Sequence, residues 1–120
     1  MTATVGWPLL VAALVAGCAA TVPIQTAADL SGEWTGRVTS PSGHALARLT
    51  IAPDGAFTGM MYLDAGDRPF HGSLLVVRPG QARYQGTDGN GVVRLTDDHG
   101  RAILRFLRDD GGVDAVFRRF

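Results

Sequence analysis

The feature that most constrains this chain is the short, even spacing of its turn-forming residues. Ser40-Pro41-Ser42-Gly43, Pro53-Asp54-Gly55, Asp64-Ala65-Gly66-Asp67, Arg78-Pro79-Gly80, Asp88-Gly89-Asn90-Gly91, Asp97-Asp98-His99-Gly100 and Asp109-Asp110-Gly111-Gly112 follow one another through the last two thirds of the sequence. Each supplies residues that accept positive φ or pre-set a turn. These seven turns leave eight segments, 31–39, 45–52, 56–63, 69–77, 82–87, 91–96, 101–108 and 113–119, rich in Val, Leu, Thr, Phe and Tyr. Segments this short exclude a helix of useful length and read as an antiparallel β meander.

Alternation within the segments supports that reading. One face carries Trp34, Gly36 and Val38; Ala47, Leu49 and Ile51; Phe57, Gly59 and Met61; Phe70, Gly72, Leu74 and Val76; Ala82 and Tyr84; Val93 and Leu95; Ala102, Leu104 and Phe106; Ala115 and Phe117. The other carries polar residues, among them Arg37, Arg48, Arg83, Arg94 and Arg105. A period of two means one buried and one wet face. With no helix to cover the buried face, eight antiparallel strands are expected to close into an up-and-down barrel, which also removes the sheet edges. Gly36, Gly59 and Gly72 on the inner face suit sharp bending of the strands.

Composition narrows the function classes. The chain has 120 residues and equal numbers of basic and acidic side chains, 11 of each. A neutral balance argues against nucleic acid as a partner, since such proteins carry a basic face. An apolar fraction of 46% is enough for one packed domain. A single cysteine excludes an intrachain disulfide and a cysteine-rich metal site.

No charged residue precedes Asp29, and residues 7–17 form an apolar run of eleven. A spanning helix needs about 20 such residues, so the run has signal-peptide length. It ends in Leu14-Val15-Ala16-Gly17-Cys18, which resembles the lipobox of bacterial lipoproteins. The resemblance implies cleavage between Gly17 and Cys18 and acylation of Cys18. The stretch before the run, Met1 to Gly6, lacks the positive charge usual in such signals. Ala19 rather than Asp follows the cysteine, which in Gram-negative lipoproteins implies an outer-membrane address facing the periplasm. The expected organisation is a signal peptide over 1–17, the acylated cysteine and a flexible tether over 18–29, and a β-barrel domain over 30–120.

Gly32-Glu33-Trp34 opens the first barrel segment, and Asp54-Gly55-Ala56-Phe57-Thr58-Gly59 follows. This stretch resembles the start of barrels in the lipocalin and avidin superfamily, and implies a calycin-like barrel. The resemblance implies that Trp34 plugs one end, beside Gly32, under an arginine of the last strand, Arg118 or Arg119, with Arg118 taken as the barrel-end residue. Biotin-binding residues have no counterpart beyond the inward Tyr84, so biotin binding is not carried over.

With Trp34, Phe57, Phe70, Tyr84, Phe106 and Phe117 inside, the barrel is expected to fill itself. A small-molecule ligand is accordingly not expected. Histidines 44, 71 and 99 show no metal-pair spacing, nothing resembles a nucleophile elbow, and no cofactor or metal is expected. Glu33 and Asp114 would approach only if the first and last strands pair, and on an exposed face they read as solvated. Met60 and Tyr62, placed beside Leu75 and Val77 and joined by Leu46, would make an exposed apolar patch able to hold a protein partner.

The expectation is a lipid-anchored envelope protein, bound to the membrane through Cys18. Its role would be non-catalytic, either binding a partner or structural. The alternatives are an inhibitor of a secreted or periplasmic hydrolase, and a carrier of a small apolar ligand within the barrel.

Overall fold

The computed structural model describes residues 20–78, 81–87 and 89–119. Cys18 and the cleavage position at Gly17 lie outside them. The described chain is all-β: β1 (Ala20–Val22), a one-turn 3₁₀ helix (Ala27–Leu30), β2 (Gly32–Ser40), β3 (Gly43–Ile51), β4 (Ala56–Leu63), β5 (Gly66–Arg78), β6 (Gln81–Gly86), β7 (Gly89–Asp98), β8 (Arg101–Arg108) and β9 (Asp114–Arg119). Strands β2 to β9 form the expected eight-stranded up-and-down barrel, each antiparallel to its neighbours, with β2 paired to β9 to close it.

The inner face is the one the alternation marks. Trp34, Ala47, Leu49, Ile51, Phe57, Leu74, Ala82, Tyr84, Val93, Leu95, Leu104, Phe106, Ala115 and Phe117 are all buried. Arg37, Arg48, Arg83, Arg94 and Arg105 lie on the exposed face. Gly36 shows why the inner glycines matter: a Cβ there would stand 1.9 Å from the Val116 carbonyl oxygen of the paired strand. Only a residue without a side chain lets β2 and β9 approach so closely.

Residues 20–29 depart from the flexible tether expected of them. Val22 pairs with Leu95, where β7 runs on past the end of its ladder with β6 at Ala82–Val93. Strand β1 thus covers an edge that the six-residue β6 is too short to reach. Ile24 and Leu30 are then 2% and 0% exposed. The Asp29 carboxylate accepts from the Gln25 and Thr26 amides and holds the intervening turn. The packed unit therefore includes Ala20, ahead of the boundary expected at Leu30. The cause is hydrophobic: Ile24 and Leu30, with Val22 packed at the margin, find the uncovered end of the core.

This topology gives the barrel two unlike ends. The turns after β3, β5 and β7 gather at one end, with the 3₁₀ helix and the end of β9. The turns after β2, β4, β6 and β8 gather at the other.

Candidate ligand-binding cavity

The first end is sealed. Trp34 is 1% exposed, and its indole Nε1–H donates to the Leu30 carbonyl at 2.9 Å. The Arg119 guanidinium lies 4.3 Å from the centroid of the Trp34 ring. Its Nη1–H and Nη2–H groups donate to the carbonyls of Ser31 at 2.8 Å and Asp29 at 3.0 Å. One cation thus stacks on the plug and ties down the turn that covers it. Gly32 has φ +123°, and a Cβ there would come within 3.2 Å of Arg119. The expectation for Arg118 is corrected: Arg119 is the arginine over the tryptophan. Ala115 and Phe117 point inward, so Arg119 shares their face, whereas Arg118 faces outward opposite Thr35 and Ile103 and is exposed.

The second end is open. A cavity of about 440 Å³ enters between the turns and runs down to Leu49, Phe57, Phe106 and Phe117. Its walls are Val38, Ala45, Met61, Leu63, Phe70, Tyr84, Val113 and Ala115, and its rim includes Ser40, His44, Arg68, His71, Thr87 and Arg108. That volume falls within the range of about 300–1,000 Å³ typical of small-molecule sites.

The expectation of a filled interior is therefore corrected, and the reason lies in how the aromatics pack. Phe106 stands edge-on to Tyr84, Phe57 and Phe117, with centroids 5.1, 5.9 and 5.7 Å away. Edge-to-face packing is the preferred geometry for such rings. It gathers the bulk into one layer across the barrel. Above that layer the wall includes the small residues Ala45, Gly86 and Ala115, and no described side chain fills the space between them.

The sequence reading missed Arg68 and Arg108. The β4–β5 hairpin turns at Asp64-Ala65 alone, pairing Leu63 with Gly66, so Arg68 belongs to β5 and shares the inward face of Phe70. Arg108 continues the inward series of Leu104 and Phe106. One more step of the same alternation finds both. Arg108 Nε donates to Asp110 at 2.8 Å, and the Gly112 amide donates to the same carboxylate oxygen at 2.8 Å. The Arg108 bond, and then the Gly112 amide, hold the Asp110 carboxyl below its ordinary range. No acidic residue lines the cavity among the described residues.

Antiparallel pairing across the β4–β5 hairpin divides the apolar patch. Tyr62 faces Leu46 on one side and Asp67 on the other, and Met60 faces Pro69. Leu75 and Val77 lie beyond the last β4–β5 pair, Ala56–Ser73, toward the sealed end. Leu46 and Tyr62 therefore sit by the open mouth at 60% and 42% exposure, while Leu75 and Val77 sit at the opposite end at 65% and 52%. The five residues do not make one surface.

Glu33 and Asp114 are also apart, because Asp114 pairs with Thr39 at the open end of β2. Asp114 instead accepts from Arg105 Nε and Nη2 at 2.9 and 2.6 Å on the outer wall. Those bonds hold its carboxyl below the usual range. Arg83 pairs with Asp109 nearby.

Fold and site together define a β-barrel with one sealed end and one open apolar cup. No family model, no curated protein and no solved structure matches the chain.

Proposed function

We propose that this chain is a lipid-anchored envelope protein whose role is non-catalytic binding, and that what it binds is a small, largely apolar molecule held in the cup. The cavity carries this reading. It is lined by apolar and aromatic side chains with few polar groups, the ordinary composition of a small-molecule site. Carriage in the barrel is thus better supported than a filled, purely structural domain. Ala20–Leu30 lies against the barrel and supplies no projecting inhibitory segment, so the hydrolase-inhibitor alternative gains no support from it.

The lipobox-like Leu14–Cys18 supports the anchor, and two or three acyl chains would hold the protein stably. Cys18 is two residues from Ala20, a reach of at most about 7 Å. Ala20 pairs with Asp97 beside the sealed end. An acyl group on Cys18 would then hold that end toward the membrane and leave the cup facing away from it.

The test is the native mass of protein extracted from membranes. The expected species begins at acylated Cys18 and carries a small molecule. Cys18→Ser is expected to abolish acylation and membrane association, and Ala45→Trp, which fills the cup wall, to expel the small molecule. An unmodified chain would overturn the anchor, and ligand retention unaffected by Ala45→Trp would overturn the cup.

A further inference from the structure

We infer that the outer wall formed by β7, β8, β9 and β2 is a docking surface for an acidic polysaccharide, gripped by Arg94, Arg118 and Arg37. This surface is separate from the cup and from the acyl anchor. Three observations carry it. First, the register gathers arginines on successive strands. Arg94 stands directly opposite Arg105, Arg105 opposite Val116, and Val116 opposite Arg37. Arg118 lies two residues along β9 from Val116, opposite Ile103 and Thr35. Neighbouring strands are about 4.8 Å apart, so the row from Arg94 to Arg37 spans about 14 Å. All four arginines are exposed.

Second, the positive charge is not balanced within the wall. Like charges directly opposite on paired strands repel, and of Arg94 and Arg105 only Arg105 is relieved, by the Asp114 carboxylate at 2.9 and 2.6 Å. Arg37, Arg94 and Arg118 make no ion pair among the described residues. The other carboxylates of this wall, Glu33 and Asp98, stand at the sealed-end termini of β2 and β7, and Asp98 is opposite Arg101. Gly89, the residue after Asp88, lies five residues along β7 from Arg94, about 17 Å of strand, so the β6–β7 turn is remote from the row. The whole chain is neutral, so the excess is local, and an anionic partner would remove the repulsion.

Third, the shape of the wall and the residues among the arginines select the kind of anion. The wall is the convex side of a small barrel, so a flat bilayer touching one strand stands off the others. A flexible chain can follow the curve and meet the arginines of β7, β9 and β2 in turn. Thr96, Ile103, Val116 and Thr35 lie among them and carry no aromatic ring, whereas single-stranded nucleic acid is held by stacking its bases on aromatic side chains. Thr35 and Thr96 instead offer hydroxyl groups, which both donate and accept and so suit the hydroxyls of a sugar. The planar guanidinium fork matches the carboxylate of an acidic sugar.

The test presents the full chain to immobilised alginate, a carboxylated polysaccharide, with neutral dextran as the reference, and reads binding by biolayer interferometry. Alginate is expected to bind and dextran not to. The binding is expected to vanish in about 1 M salt, where charges are screened beyond about 3 Å. Arg37→Gln, Arg94→Gln and Arg118→Gln together are expected to weaken it about tenfold, the summed effect of three exposed charge contacts. Arg94→Gln alone, the second variant, is expected to weaken it about two- to threefold. Arg78→Gln, exposed on β5 across the barrel, is expected to leave it unchanged, with thermal melts to confirm folding. Absence of alginate binding, or binding untouched by the arginine variants of the wall, would overturn the inference and leave the cup reading standing. Tighter binding of oligothymidylate, or phosphatidylglycerol vesicles stripping the protein from alginate more effectively than phosphatidylcholine vesicles, would overturn the choice of a polysaccharide.

Discussion

The two ends of this barrel are built from the same eight strands and reach opposite outcomes. At the sealed end the chain spends its largest side chains on closure: Trp34 fills the axis, Ile24 and Leu30 lie across it, and Arg119 fastens the cover to backbone carbonyls. At the open end no described side chain crosses the axis as Trp34 does, and a cavity remains. The difference shows that a closed ring of strands does not decide whether a barrel is a packed core or a cup. A few residues at the strand termini, and one segment outside the ring, decide it.

That contrast can be broken most directly at the plug. Trp34→Ala is expected to destabilise the fold by about 3–5 kcal/mol, and Leu30→Ala by about 2–5 kcal/mol, as for other fully buried large-to-small changes. Denaturant melts would measure both, and a cost near zero would mean that closure is not where stability resides.

The fastening comes next. Arg119→Ala removes two hydrogen bonds to carbonyls and the stacking on Trp34, and is expected to cost about 1–2 kcal/mol. Arg118→Ala, one residue away on the outer face, is expected to stay within about 0.5 kcal/mol. Equal effects in thermal melts would contradict the assignment of Arg119. At the open end, Met61→Ala removes a half-buried side chain that already borders empty space, and is expected to cost about 1 kcal/mol. Its larger effect would be on ligand retention, read by native mass.

The smallest effect belongs to the outer wall. The depressed Asp114 carboxyl means that the unfolded chain holds this proton more tightly than the folded one. The stabilisation from Arg105 is therefore present at neutral pH, above the unfolded value of about 4. It is lost as pH falls through the lower folded value. The pair is well exposed, so its worth is at most about 1 kcal/mol. Arg105→Gln should flatten that part of the pH–stability profile, and a profile unchanged by the substitution would remove the pair from the account.

The contrast between the ends also explains what was legible in the sequence. Strand number, the inner face and the barrel follow from turn spacing and period-two alternation, because both are local. Residues such as Trp34, Leu49 and Phe106 could be placed inside without knowing any partner. The open cavity could not be read, because it depends on how rings from β4, β6, β8 and β9 pack against one another across the barrel. Arg68 and Arg108 were within reach of the same alternation, but a four-residue reading of the 64–67 turn stopped it one step short at β5. The docking of Ile24 and Leu30 depended on an uncovered end that exists only once the barrel has formed. The patch built on Met60, Tyr62, Leu75 and Val77 failed because an antiparallel hairpin pairs residues equally distant from its turn: Met60 and Tyr62 lie near the turn, Leu75 and Val77 far along β5.

The central claim, one sealed end and one ligand cup, is tested most directly by following backbone amides and the Trp34 indole by NMR while 1-decanol is titrated in. The account predicts saturable shifts at Ala45, Met61, Tyr84, Gly86 and Phe106, with the Trp34 indole N–H unmoved on its Leu30 carbonyl. Shifts centred on Trp34, Leu30 and Arg119, or no saturable shifts at all, would contradict it.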